Sequence, residues 1–235
     1  MRLLFIASDP MEFRGLLAHA TAIREAQVVA HWSRLATLGG NQVLLVANGA
    51  GPQRAAAATD AGLKAFDAEA IVSTGFCGAL SPELQIADLV FATQVARGHA
   101  LRTWPYRREP AGNQARHFSG PIQSIPYVAQ TAEEKRNLAV TGAIAVEMEA
   151  AGVAASAESH GLPVYCVRAV TDLASEDLAN NFNNALRLDG RFDTILILKG
   201  SLRNPMVRLP ELLRLRKRCV RAAQVLGDFF ADSRI

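Results

Sequence analysis

Aromatic side chains make up only 6% of the 235 residues, and there are three cysteines, Cys77, Cys166 and Cys219. With so few aromatics, the core has to be built from Ala, Leu, Val and Ile. Three scattered cysteines exclude a disulfide framework and a paired-cysteine metal site. No apolar run approaches the roughly 20 residues a membrane-spanning helix needs. The opening segment, Met1 to Asp9, has no long apolar region or cleavage site of a secretory signal, so a cytoplasmic location is expected. The histidines His19, His31, His99, His117 and His160 show no metal-ligand spacing, and no metal or organic cofactor is expected. A GxSxG elbow, a GxGxxG turn and a P-loop are all missing, which sets aside serine hydrolases and the common nucleotide folds. There is no internal repeat and no low-complexity tract.

Half of the residues are hydrophobic and 20% are charged, which excludes a disordered chain. The length predicts one domain spanning residues 1–235. The formal net charge of +3 is a sum of two unlike regions. From Lys199 to Arg221 there are eight bases and one acid, Glu211, a local +7 that leaves −4 for everything else. Because the basic residues are confined to this tail, no nucleic-acid partner is expected.

Short apolar runs at Leu3 to Ala7, Gln42 to Ala47, Ala70 to Thr74, Asp88 to Val95 and Pro163 to Val170 read as buried strands. Helical patterns lie between them at Met11 to Ala20, Pro52 to Phe66 and Glu149 to His160. This alternation predicts an α/β fold of three layers, with a central mixed, mainly parallel sheet flanked by helices. A further strand around Ala26 to His31 is expected to form a hairpin with the one at Gln42. Residues 97–124 and Asp177 to Asp193 are rich in breakers and read as loops. A last helix from Pro205 or Leu209 to about Phe230 carries one apolar stripe, Leu212, Leu215, Cys219, Ala222, Leu226 and Phe229. Its basic face reads either as solvated surface or as a contact for acidic or lipid headgroups.

Ligands of open α/β sheets bind beyond the carboxyl ends of the strands. Ser8, Asp9 and Glu12 follow the first strand. Asn48-Gly49-Ala50-Gly51-Pro52 follows the second and opens a helix, so N–H groups at Gly49 and Gly51, with Arg54 nearby, form a candidate anion site. Thr74-Gly75-Phe76-Cys77-Gly78 follows the third, and Thr171-Asp172 the last. In Val146-Glu147-Met148-Glu149-Ala150 two acids flank a methionine where an extended stretch becomes a helix. There Glu147 and Glu149 share one side, suited to ligand hydroxyls, and Met148 supplies an apolar wall. The same acids also read as ordinary helix-start residues, and Asp172 as a cap.

Val72 to Leu80 with Ile86 to Val90, then Val146 to Ala151, then Val167 to Asp172, resemble in order and spacing the superfamily of nucleoside phosphorylases and methylthioadenosine/S-adenosylhomocysteine nucleosidases. The likeness covers most of Met1 to Asp177. The tail, with Arg203-Asn204-Pro205 and Leu209 to Leu215, is similar to the hopanoid-associated branch, which implies an adenosyl lipid as substrate and contact of the basic helix with a membrane surface. The resemblance implies cleavage of the N-glycosidic bond of a purine nucleoside of adenosine type. Asp172 is then the general acid toward purine N7, Glu149 the holder of the ribose hydroxyls and Met148 a wall for the sugar. It also implies a homo-oligomer.

Superfamily phosphorylases carry a GDPxR motif after the first strand, whose Arg binds phosphate. In Ser8-Asp9-Pro10-Met11-Glu12 a carboxylate stands at that place, suited to orienting a water. A second phosphate arginine is replaced by Ser73, and Phe76 stands where a smaller residue is usual. Arg54 and Arg14 are the cations left to compensate. Hydrolysis is therefore favoured. Phosphorolysis, with inorganic phosphate as co-substrate, and a binding protein without catalysis stay open. The region between Val95 and Ala143 is shorter than in the nucleosidases and lacks a helical segment, which leaves Tyr127, beside Ile125, as the candidate to stack on the base.

Overall fold

The structure, a computed structural model, describes residues 1–96, 101 and 116–233. Its strands are β1 (Arg2–Ala7), β2 (Thr21–Glu25), β3 (Trp32–Leu38), β4 (Asn41–Ala47), β5 (Ala70–Ala79), β6 (Leu89–Val95), β7 (His117–Ser124), β8 (Ala145–Glu147) and β9 (Val164–Asp172). The helices are α1 (Arg14–His19), α2 (Pro52–Ala65), α3 (Ala132–Ala139), α4 (Ala150–Ser159), α5 (Thr194–Ser201) and α6 (Pro205–Asp232). A 3₁₀ turn, Pro10–Phe13, leads into α1 and is capped reciprocally by Asp9 and Glu12. All the strands join one sheet in the order β2-β3-β4-β1-β5-β8-β7-β6-β9. An added pairing of β5 with β9 curls its second half into a closed ring. Parallel pairs (β1 with β4 and β5, β5 with β9, β7 with β6 and β8) mix with antiparallel ones, as a three-layer mixed sheet requires.

β1 shows how the layers arise from a period of two. Leu4 and Ile6 join the core under α2 and α4. Leu3, Phe5 and Ala7 join the opposite core with Phe13, Leu16, Ala222 and Leu226, under α1 and α6. The α1–α6 crossing is close because both helices place glycine there: a Cβ on Gly227 would lie 2.1 Å from the Gly15 carbonyl carbon.

Two expectations are corrected. Ala26 to His31 is not a strand; a tight turn closed by Ala30 N–H on the Val28 carbonyl separates β2 from β3, and β3 makes the hairpin with β4. Of the breaker-rich stretch 97–124, residues 97–100 and 102–115 lie outside the described residues, but His117–Ser124 is strand β7 rather than loop. Its Pro121 falls where the β6–β7 register shifts, so the missing N–H costs the ladder little. The described part of the region between Val95 and Ala143 also holds α3, opened by a Thr131–Glu134 capping box.

Candidate active site

The carboxyl ends of β1, β4, β5 and β9, with the start of α4, converge on a cavity of about 590 Å³, within the roughly 300–1,000 Å³ usual for small-molecule sites. Glu12, Phe76, Met148, Glu149, Asp172 and Tyr127 all line it, as the strand-end reading expects. Leu178, Phe182, Phe192, Ile197 and Leu215 add apolar surface to the lining.

Glu12 is buried, and its carboxylate is gripped by backbone. Oε2 accepts from Ser8 N–H at 2.7 Å, Asp9 N–H at 3.0 Å and the Ser8 hydroxyl at 2.9 Å, while Oε1 accepts from Phe76 N–H at 2.9 Å. Burial raises its pKa, with Arg168 and these donors opposing the rise. Gly75 makes the arrangement sterically feasible: it sits at φ +128°, and a Cβ there would meet Glu12 Oε1 at 2.4 Å. Any side chain at Gly75 displaces the Glu12 carboxylate.

Arg168 was not assigned a role from sequence, yet it organises the site. It is fully buried in β9 and donates to the Thr74 carbonyl at 2.9 Å, the Ser73 hydroxyl at 2.8 Å, Glu149 Oε2 at 3.2 Å and Glu147 Oε2. The surrounding carboxylates hold its pKa above the usual arginine value even against burial. A charge in an otherwise apolar strand was the available signal, because a buried cation requires buried anions.

The two carboxyl groups on Arg168 divide the work. Glu147 Oε2 also accepts from the N–H groups of Glu149 and Ala150 at 2.9 and 2.8 Å, so it starts α4 and anchors Arg168. Its side chain is wholly buried, which corrects the expectation that it binds substrate. Glu149 Oε1 accepts from Gly51 N–H at 3.2 Å. The glycine turn is therefore not an open anion site: Gly49 N–H donates to the Ser8 carbonyl, Gly51 N–H to Glu149, and the Arg54 side chain to the Leu188 carbonyl. Neither Arg54 nor Arg14 lines the cavity.

The pKa of Glu149 is pushed up to about 8, by burial first, with Glu147 and Glu12 adding repulsion and Arg168 only partly offsetting them. In the folded protein this carboxyl keeps its proton up to that pH, whereas unfolded it releases the proton near 4.5. Its contribution to stability is thus whole below about 4.5 and declines as the pH rises through 8. Glu149→Gln removes this dependence. In thermal melts from about pH 5 to about pH 9, the variant's midpoint is expected to fall less than the wild type's.

Asp172 ends β9. Its Oδ2 lies 2.6 Å from the Lys135 ammonium, and its Oδ1 accepts from the Thr171 hydroxyl at 3.1 Å. Lys135 is completely buried and donates as well to the carbonyls of Leu173 at 2.7 Å and Glu176 at 3.3 Å. Sequence reasoning missed it because it stands in Ala-Glu-Glu-Lys-Arg-Asn-Leu-Ala, where nothing distinguishes it from a solvated helix face. Ser73, at the place of the second phosphate arginine, is buried against Arg168. The lining holds five acids, Asp9, Glu12, Glu147, Glu149 and Asp172, and one cation, Arg191, among the described residues.

The sequence model of the phosphorylase superfamily matches residues 2–127 and 124–191. The chain belongs to this superfamily. A 5′-methylthioadenosine/S-adenosylhomocysteine nucleosidase of Marinomonas sp. (strain MWYL1) is 25% identical over 220 residues, 81% of this chain and 95% of that one. An aminodeoxyfutalosine nucleosidase of Campylobacter jejuni is 26% identical over 161 residues, 58% of this chain and 70% of the relative. Among solved structures, the 5′-methylthioadenosine/S-adenosylhomocysteine nucleosidase of S. pneumoniae with a transition-state inhibitor superposes with a TM-score of 0.68 at 21% identity, covering 98% of this chain and 99% of that one. In this superfamily member the matched segment ends just before α5 and α6. No helix among the described residues is long and apolar enough to cross a membrane.

Proposed function

We propose that this enzyme hydrolyses the N-glycosidic bond of an adenosine-type purine nucleoside, and that residues 1–235 act as one domain. The observation that carries the choice of water over phosphate is that the cavity lining offers one cation among the described residues, Arg191, while the place of the phosphate arginine is filled by the carboxyl of Glu12. Two unit charges of like sign 4 Å apart repel by about 4 kcal/mol at an effective dielectric constant of 20, so a phosphate beside an ionised Glu12 is opposed. The names of the curated relatives, nucleosidases in each case above, support the same reading.

In this mechanism Asp172 gives a proton to N7 of the base as the bond between N9 and ribose C1′ breaks. Lys135, on Oδ2, holds the carboxyl in place and stabilises the carboxylate left behind. Positive charge develops on the ribosyl group, and Glu149 holds its hydroxyls against the Met148 wall. Glu12, fixed by four donors, accepts a proton from the water whose oxygen bonds to C1′. Tyr127, Phe182 and Phe192 supply aromatic surface for the base, the last two forming an edge-to-face pair with centroids 6.3 Å apart. The chemistry uses only these side chains and water.

Purified protein incubated with adenosine, inosine, methylthioadenosine and S-adenosylhomocysteine, with and without inorganic phosphate, tests the proposal. Release of adenine at a rate unchanged by phosphate is expected from at least one adenosine derivative. Absence of free base from all four refutes it.

A further inference from the structure

We propose that the face formed by α5 and the first half of α6 docks on a bilayer of anionic lipids. α5 is turned inside out. Its only buried residue is Ser201, whose hydroxyl donates to Asn180 Oδ1 at 2.7 Å, while Ile195, Leu196 and Leu198 are 67%, 47% and 48% exposed. The pattern crosses into α6, where Leu202 before it and Met206, Val207 and Leu213 within it are exposed, yet Glu211 is buried and accepts from the N–H groups of Ala179 and Asn180 at 2.7 and 2.9 Å. A segment that buries its serine and its glutamate and exposes its aliphatic side chains presents apolar surface of the kind that is covered in use.

Charge decides what covers it. From Thr194 to Arg221 there are eight bases and one acid. The acid, Glu211, is buried, so every exposed charge of this stretch is positive. A two-fold contact with a second copy of the chain would set this patch against itself, bases facing bases. A nucleic acid would satisfy the bases and leave the aliphatic side chains unused. Anionic headgroups over an apolar interior satisfy both at once, as for helices that lie in the plane of a membrane surface. Thr194, Ile197, Leu215 and Cys219 of the same two helices line the cavity, so docking brings the active site beside the bilayer.

The test is co-sedimentation of the full chain with vesicles of phosphatidylcholine alone, or of phosphatidylcholine mixed with phosphatidylglycerol, at low and high salt. Two triple variants accompany the wild type, Ile195→Ser with Leu198→Ser and Leu202→Ser, and Lys199→Glu with Arg203→Glu and Arg214→Glu. All six positions are exposed and lie outside the cavity lining, so fold and nucleoside hydrolysis are expected to be unchanged in solution. The wild type is expected to pellet with the anionic vesicles, at least tenfold more than with the neutral ones. High salt, the charge reversals and the serine substitutions are each expected to reduce this binding at least tenfold. Wild-type protein that stays in the supernatant with anionic vesicles at low salt overturns the proposal. So does a wild-type dimer that the serine variant dissociates while neither binds vesicles, which would make the patch an interface between copies of the chain.

Discussion

Asp172→Asn is expected to lower the rate of base release by about 10²–10⁴, the usual worth of a positioned general acid, and to lower folding stability as well, because the buried Lys135 ammonium loses its carboxylate. The amide cannot give N7 a proton, which accounts for the loss. The cost in stability is limited because Lys135, the buried neighbour of Asp172, keeps the Leu173 and Glu176 carbonyls as acceptors. Substrate affinity is expected to change far less than turnover, since Glu149 and the aromatic wall are untouched. A variant that turns over at the wild-type rate removes Asp172 from the mechanism.

Arg168→Met is expected to be the most destabilising single change in the site, by about 3–5 kcal/mol, the typical cost of leaving a buried ionic partner uncompensated. Methionine matches the volume of the strand interior but supplies no donor. Glu147 and Glu149 lose their shared cation, and the Thr74 carbonyl and Ser73 hydroxyl lose their donors. Against a total stability of about 5–15 kcal/mol, a loss of that size is plain in a urea titration. Arg168→Lys keeps the charge, but one ammonium does not span the separate positions of the two glutamates, so a lowered midpoint is expected there too. A methionine variant within about 1 kcal/mol of wild type contradicts the account of Arg168 as the organiser of the acids.

The sequence revealed the layers and the acids more readily than what holds them. β1 and β4 are apolar runs and β9 is one interrupted only by Arg168, and such runs buried on both faces are the clearest signal a sequence carries. Glu12 and Asp172 were legible because each comes at the end of such a run, and Glu149 because two acids flank Met148 where an extended stretch becomes a helix. β7 was hidden because Gly120 and Pro121 suggest a turn, and only the bulged register shows why a strand tolerates them. Lys135 was hidden because its burial depends on α3 packing against the chain after β9, a long-range contact that leaves no local pattern. The glycine turn misled for a related reason: its N–H groups do face an acceptor as expected, but one acceptor is the protein's own Glu149. Glu147 shows the limit of strand alternation, since the backbone places it beside Glu149 while Arg168 and the start of α4 draw its carboxylate inward.

The central claim is that water, not phosphate, attacks ribose C1′ in a cavity of acids. Its most direct test is turnover of an adenosine-type nucleoside in water labelled with a heavy oxygen isotope, with inorganic phosphate present, followed by mass analysis of the sugar product. The account predicts free ribose, or its 5′-substituted form, carrying one labelled oxygen at C1′. An unlabelled ribose 1-phosphate would contradict it.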